Sequence, residues 1–160
     1  MRIAIIGQQE FGKSVLEAFL ARGDTVAGVF VAPEKPGARP DPLRVAAEEK
    51  GLAVFQFPSY RKPDAQEALR RLEVDLGVMA YVLLFAPQDF VRIPRHGTIQ
   101  YHPSLLPRHR GPSSINWPMI AMRMLPAPFR ATSAWLVEPK HGTWCNANPE
   151  PPLPQGEEPG

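Results

Sequence analysis

Short apolar runs alternate with segments of helical periodicity over the first two thirds of this chain, and this alternation constrains its fold most strongly. RIAIIG, TVAGVFVA and DLGVMAYVLL are continuous enough to be strands buried on both faces of a sheet. LAVFQF and GTIQYH are shorter runs that we also interpret as strands. Strands that alternate with helices form parallel sheets joined by crossovers, so the sequence predicts an α/β fold with a Rossmann-like, doubly wound, mostly parallel sheet.

The intervening segments carry helix signals. In EFGKSVLEAFLARG the apolar residues recur at helical spacing and Gly23 provides a stop. LRVAAEEKG predicts a second helix, PDAQEALRRLEV a third with Leu69 and Leu72 facing the core, and PQDFVRI one or two further turns. Ligands of such sheets bind beyond the carboxyl ends of the strands, so the loops after the fourth and fifth strands are the first places to look for a site.

Composition excludes several functional classes. Lys and Arg total 18 against 16 Asp and Glu, a net charge of +2 that is not typical of a dedicated nucleic-acid-binding protein. Cys145 is the sole cysteine, so we expect neither an internal disulfide nor a cysteine-based zinc site. No run approaches the roughly 20 apolar residues of a membrane span. We therefore expect a soluble, cytoplasmic protein.

Proline divides the chain. Of 20 prolines, nine lie from Pro118 onward, where the alternation of strands and helices degrades. We expect a catalytic domain over residues 1–118, a divergent remainder of that domain over 119–145 with one strand in ATSAWLV, and a disordered Pro-rich tail over 146–160. SSINWPMIAMRM predicts a helix that begins near Ser113 or Ser114.

The turn GQQEFG, Gly7 to Gly12, raises the possibility of dinucleotide binding because it joins a strand to a helix. Gln9 occupies the place where the G-x-G-x-x-G pattern needs its second glycine. Glu34 after the second strand is a candidate ribose ligand or an exposed loop acid. A structural glycine turn is the favoured interpretation, and a dinucleotide-dependent oxidoreductase remains an alternative.

His102 closes the fifth apolar run and precedes the rigid loop PSLLP. An imidazole fixed at the mouth of a sheet is suited to donate or accept a proton near neutral pH. The cations that follow, Arg108, His109 and Arg110, are either a solvated loop face or an attraction for a carboxylate or phosphate. The four histidines show no metal-ligand spacing, so no metal is expected.

HPSLLPRHRG resembles the signature loop of the tetrahydrofolate-dependent formyltransferase family. IAIIGQQEFGKSV, VAGVFVAPEK, RPDPL and PRHGTIQYHPSLLPRHRGPSSINW are similar, in order and spacing, to the hydrolase branch represented by the N-terminal domain of 10-formyltetrahydrofolate dehydrogenase. This resemblance covers residues 1 to about 118.

The resemblance implies formyl transfer or hydrolysis with 10-formyltetrahydrofolate as substrate and tetrahydrofolate as product. It implies that His102 is the catalytic proton donor and that Leu84, Phe85 and Ala86 hold the folate. Gln100 stands where much of the family has a catalytic asparagine, a departure that fits the dehydrogenase branch. The formyl acceptor and the oligomeric state stay open.

A second departure concerns an aspartate that the family carries a few dozen residues after the histidine. Residues 119–160 contain no aspartate, and Glu138 and His141 are the nearest replacements by position. This loss suggests a replaced or truncated C-terminus. The alternative function is therefore a catalytically impaired fragment that binds folate.

Overall fold

The computed structural model describes residues 1–102, 134–138 and 145–146. The strands are β1 (Arg2–Gly7), β2 (Thr25–Val31), β3 (Val54–Gln56), β4 (Leu76–Ala80), β5 (Thr98–His102), β6 (Ala134–Glu138) and β7 (Cys145–Asn146). The helices are α1 (Gln9–Ala21), α2 (Pro42–Glu49), α3 (Pro63–Arg71) and α4 (Gln88–Val91). Residues 1–101 and 136–145 form one compact unit; the second unit, 102–135 with 146–160, falls largely outside the described residues.

The strands lie in one sheet in the order β3-β2-β1-β4-β5-β6-β7. The pairs β1–β2, β1–β4, β2–β3 and β4–β5 are parallel. Strand order runs outward in one direction from β1 to β3 and in the other from β4, which is the doubly wound arrangement. The predicted fold class is confirmed.

The bounds of β1 to β5 lie within two residues of the predicted apolar runs, except at the end of β4. The run DLGVMAYVLL predicts a strand as far as Leu84, but β4 ends at Ala80. Tyr81 has φ 58°, a left-handed conformation that a strand does not accommodate. The sequence prediction was wrong here because apolar composition continues past the turn.

The helices begin and end at recognisable signals. The Asp41 side chain caps α2 by accepting from the Leu43 amide at 2.9 Å, and Pro42 occupies the first turn. Pro63 opens α3 in the same way, and Leu69 is fully buried as predicted. Gly23, at φ 84°, follows α1 in the left-handed conformation that only glycine adopts freely.

An aromatic cluster forms much of the core on one side of the sheet. Tyr60 and Phe90 are buried and stacked at 4.5 Å between ring centroids, with an interplanar angle of 12°. Phe30 of β2 packs edge-on against both rings. Burial raises the pKa of the Tyr60 hydroxyl, so this group stays protonated at physiological pH. These rings join β2, α4 and the segment before α3.

A tight contact also joins β4 to β5. Gly77 pairs with Thr98, and a Cβ at position 77 would lie 2.5 Å from the Thr98 hydroxyl. That hydroxyl donates to the carbonyl of Val91 at 2.7 Å, at the end of α4. The absent side chain at position 77 therefore makes room for a buried hydrogen bond.

The predicted strand in ATSAWLV corresponds to β6, which begins three residues later. The helix predicted from Ser113 or Ser114 lies outside the described residues. The same holds for residues 147–160 of the predicted tail, and the proposed boundaries at 118 and 145 stay predictions.

Replacing Phe90 with alanine should lower the free energy of unfolding by about 3–5 kcal/mol, because it leaves a cavity between Phe30 and Tyr60. Urea denaturation followed by circular dichroism measures this loss. Leu83→Ala is the control, since this side chain is 67% exposed and its truncation should change stability by less than about 0.5 kcal/mol. Equal losses of unfolding free energy in the two variants would contradict the role of the aromatic cluster in stabilising the core.

Candidate functional site at the carboxyl edge of the sheet

The order of the sheet places its switch point between β1 and β4, which end side by side at Gly7 and Ala80. A Cβ at position 7 would overlap the carbonyl oxygen of Ala80. The amide of Gln8 donates to that carbonyl at 3.3 Å. Crevices at such switch points are the usual ligand sites of open α/β sheets.

The turn from β1 into α1 is held by a buried carboxylate from another loop. Gln9 has φ 63°, and its amide donates to both oxygens of Asp41, at 3.0 and 2.9 Å. Asp41 is 8% exposed and also caps α2. In the sequence, Asp41 and Pro42 form a helix-start signal before an apolar-periodic segment, but no local pattern indicates the bonds from Asp41 to Gln9.

Glu34 is engaged within the same loop system. Its Oε1 accepts from the Asp41 amide at 2.7 Å and pairs with Nε of Arg44 at 3.0 Å. Gln9 of the glycine turn and Glu34, the candidate ribose ligand, therefore both bond to Asp41. This geometry does not favour the dinucleotide alternative.

The loop after β4 presents apolar side chains at this edge. Leu83 and Phe85 are 67% and 66% exposed, whereas Leu84 and Ala86 pack against the core. The Arg61 guanidinium lies over the Phe85 ring at 4.8 Å from its centroid. Of the three residues predicted to hold folate, Phe85 therefore offers its side chain most fully, and the other two anchor the loop.

The end of β5 supplies the predicted catalytic residues. Gln100 pairs with Met79 of β4 and is half-buried, and His102 is the last residue of the strand. Tyr101 between them contacts Phe11 of α1, with ring centroids 4.7 Å apart and rings tilted by 41°. Phe11 belongs in the sequence only to a helical periodicity, so this contact was not predicted; its side chain is 36% exposed.

Five further residues were candidates in the sequence. Arg108, His109 and Arg110 lie outside the described residues, as does His141. Glu138 is the last residue of β6. Within the described residues no group of three or more His, Cys, Asp or Glu side chains could hold a metal ion, and no helix is long and apolar enough to cross a membrane.

A surface cavity of about 420 Å³ lies at the opposite edge, where β4 and β5 begin. Its lining mixes apolar and charged side chains: Leu69, Arg70, Glu73, Val74, Asp75, Ile93 and Arg95. The cavity is therefore separate from Gln100 in the second half of β5 and from Leu84, Phe85 and Ala86, which follow β4.

Residues 1–123 match the sequence profile of the Formyl transferase family. The chain belongs to this family. The match includes every residue of the edge described above and the predicted signature loop, so family membership confirms the resemblance seen in HPSLLPRHRG.

Individual relatives support the family assignment. Cytosolic 10-formyltetrahydrofolate dehydrogenase of Xenopus tropicalis is 44% identical over 125 residues, which is 75% of this chain and 14% of that protein. The chain thus spans about a seventh of the length of this curated relative. The crystal structure of phosphoribosylglycinamide formyltransferase from Anaplasma phagocytophilum aligns with a TM-score of 0.63 and 22% identity, covering 90% of this chain and 69% of that one. A formyltetrahydrofolate deformylase from Pseudomonas syringae pv. tomato aligns with a TM-score of 0.63 and 17% identity, covering 88% and 46%. These structures share the fold.

Two substitutions at Tyr81 test whether the turn after β4 depends on its left-handed backbone. Tyr81→Val should destabilise the protein by about 1–3 kcal/mol, because a β-branched residue is strained at φ 58°. Tyr81→Gly removes the same ring but adopts this conformation freely, so it should unfold at a distinctly higher urea concentration than the valine variant. If the two variants have the same midpoint, the turn does not depend on a left-handed residue.

Proposed function

We propose that this chain acts on 10-formyltetrahydrofolate, transferring the formyl group to an amine or hydrolysing it to formate, with His102 as the proton donor. The observation that carries the proposal is that His102 is the last residue of β5, a strand that pairs with β4, and that the loop after β4 exposes Phe85. Family membership and the names of the relatives, a 10-formyltetrahydrofolate dehydrogenase and a formyltetrahydrofolate deformylase, support the same substrate.

The loop after β4 is suited to hold a flat, partly apolar heterocycle such as a pterin. Because Leu84 and Ala86 pack against the core, the backbone between them is fixed, and its polar groups can bond to the ring edge. The Phe85 ring supplies an apolar face, and Arg61 over that ring limits its rotation. We propose that these residues bind the folate.

The reaction needs a proton at the folate nitrogen that leaves the formyl carbon. The oxygen of water, or the nitrogen of an amine, forms a bond to the formyl carbon and releases a proton to solvent, and the bond from that carbon to the folate nitrogen then breaks. The folate nitrogen takes a proton as it leaves, giving tetrahydrofolate and either formate or a formylated amine. In our proposal His102 supplies this proton, and its imidazolium form also stabilises the oxyanion that develops on the formyl oxygen.

Gln100, two residues earlier on β5, is proposed to donate an amide hydrogen bond to the same oxyanion. Its half-buried position on a paired strand fixes its backbone. A glutamine reaches about one bond length further than the asparagine implied by the family resemblance, so the strand end must accommodate that difference.

We also propose that the protein works in the cytoplasm without a metal and without a nucleic-acid partner. A single cysteine is compatible with a reducing compartment, and the matched frog relative is a cytosolic protein. The net charge of +2 provides little attraction for a polyanion.

Substituting His102 with alanine should lower the rate of 10-formyltetrahydrofolate turnover by about 10²- to 10⁴-fold, the usual contribution of a positioned general acid. The measurement follows tetrahydrofolate formation by absorbance, with and without an amine. Arg71→Gln is the control, because this side chain is 78% exposed on α3 and should leave the rate unchanged.

Full activity of the alanine variant would remove His102 from the mechanism. A folded wild-type chain that binds tetrahydrofolate without turning over the formyl form would overturn the catalytic proposal in favour of the folate-binding fragment. The absence of aspartate from residues 119–160 is the specific observation that favours this second candidate.

Phe85→Ala should weaken tetrahydrofolate binding by about tenfold or more, since an aromatic ring that the bound ligand covers contributes on the order of 1–3 kcal/mol. Leu83→Ala is a closely matched control because both side chains are about two-thirds exposed in the same loop. Fluorescence titration compares the two variants. Equal weakening of binding in the two variants would contradict a specific role of the Phe85 ring in holding the folate.

A further inference from the structure

We propose that the Asp41 carboxylate acts as a built-in anion at the amino end of α1 and prevents phosphorylated acceptors from binding there. This inference rests on the proposed function and narrows it, because it disfavours any formyl acceptor whose phosphate would have to bind at this turn. Asp41 is then a residue that determines acceptor specificity.

The place that Asp41 occupies is one that attracts anions. The amino end of a helix that follows the first strand of a doubly wound sheet presents free amides and the positive end of the helix dipole. In this chain the Gln9 amide is directed at both oxygens of Asp41, at 3.0 and 2.9 Å, and the carboxylate therefore takes the position that a phosphate oxygen would otherwise occupy.

Asp41 is held from several directions and is not free to swing away. Its carboxylate also accepts from the Leu43 amide at 2.9 Å, and its own amide donates to Glu34 at 2.7 Å. Glu34 is fixed in turn by Arg44 of α2 at 3.0 Å. With 8% exposure, the carboxylate gains little solvent screening against a second anion.

Neighbouring charges reinforce the effect. Glu10 adds a second carboxylate in the first turn of α1. From Gly7 to Ser14 the sequence holds a single cation, Lys13, on the second turn. A phosphate dianion would therefore meet two negative side chains and an amide that is already bonded.

The test compares Asp41→Asn with wild type by calorimetric titration of inorganic phosphate. Asparagine keeps the size of the side chain and an oxygen that can accept from the amides, but it removes the charge. We expect Asp41→Asn to bind phosphate at least about tenfold more tightly than wild type. Asp24→Asn is the control, because it changes the net charge by the same amount at a carboxylate whose side chain is 9% exposed at the far end of α1. It should match wild type.

If Asp41→Asn does not fold, Asp41→Ser replaces it, since serine also caps helices. Phosphate binding by wild type that equals binding by the folded variant would overturn the proposal. So would equal tightening in Asp24→Asn, because net charge would then explain the effect.

A second arm tests the acceptor with ethanolamine and O-phosphoethanolamine, which differ only in the phosphate. With 10-formyltetrahydrofolate present, O-phosphoethanolamine should neither accept the formyl group nor inhibit wild-type turnover. Formylation of the phosphorylated amine would contradict the proposal. The calorimetric arm needs no turnover, so a chain that lacks turnover but shows the phosphate contrast would refute the proposed function while leaving the anion effect of Asp41 intact.

Discussion

The close approach of β1 to β4 is the contact on which the rest of the site depends. Gly7 lies against the Ala80 carbonyl where no side chain fits, and the Gln8 amide bonds to that carbonyl. Because both strands end there, the β1–α1 turn and the loop after β4 leave the sheet from the same point. The apolar loop around Phe85 and the turn at Gln9 owe their positions to this contact.

Polar interactions then set the character of the edge on either side of the switch point. On the β1 side, the Asp41 carboxylate accepts hydrogen bonds from the first turns of both α1 and α2. It therefore places a negative charge at the β1–α1 turn. On the β4 side, Arg61 covers one aromatic ring of an exposed apolar loop. One flank thus carries an exposed aromatic ring under a guanidinium, and the other carries a buried carboxylate.

Periodicity and apolar runs were sufficient to predict the fold, because strands buried on both faces leave a continuous apolar signal. The same signal failed after Ala80, where apolar residues continue through a turn whose direction is set by the backbone of Tyr81. A local motif singled out His102, and its role in the site stays a prediction. Asp41 and the Phe11–Tyr101 contact depend on segments distant in sequence, and composition does not record such pairings.

The fit between Gly77 and Thr98 also bears on how this sequence can change over evolutionary time. A larger residue at position 77 is compatible with the sheet only if position 98 first loses the hydroxyl that a Cβ at position 77 would meet at 2.5 Å. That loss would also remove the hydrogen bond to Val91, which holds the end of α4 against β5. The two positions are therefore expected to vary together among descendants of this chain. The change at position 98 is expected to come first, because a larger residue at position 77 beside Thr98 would clash.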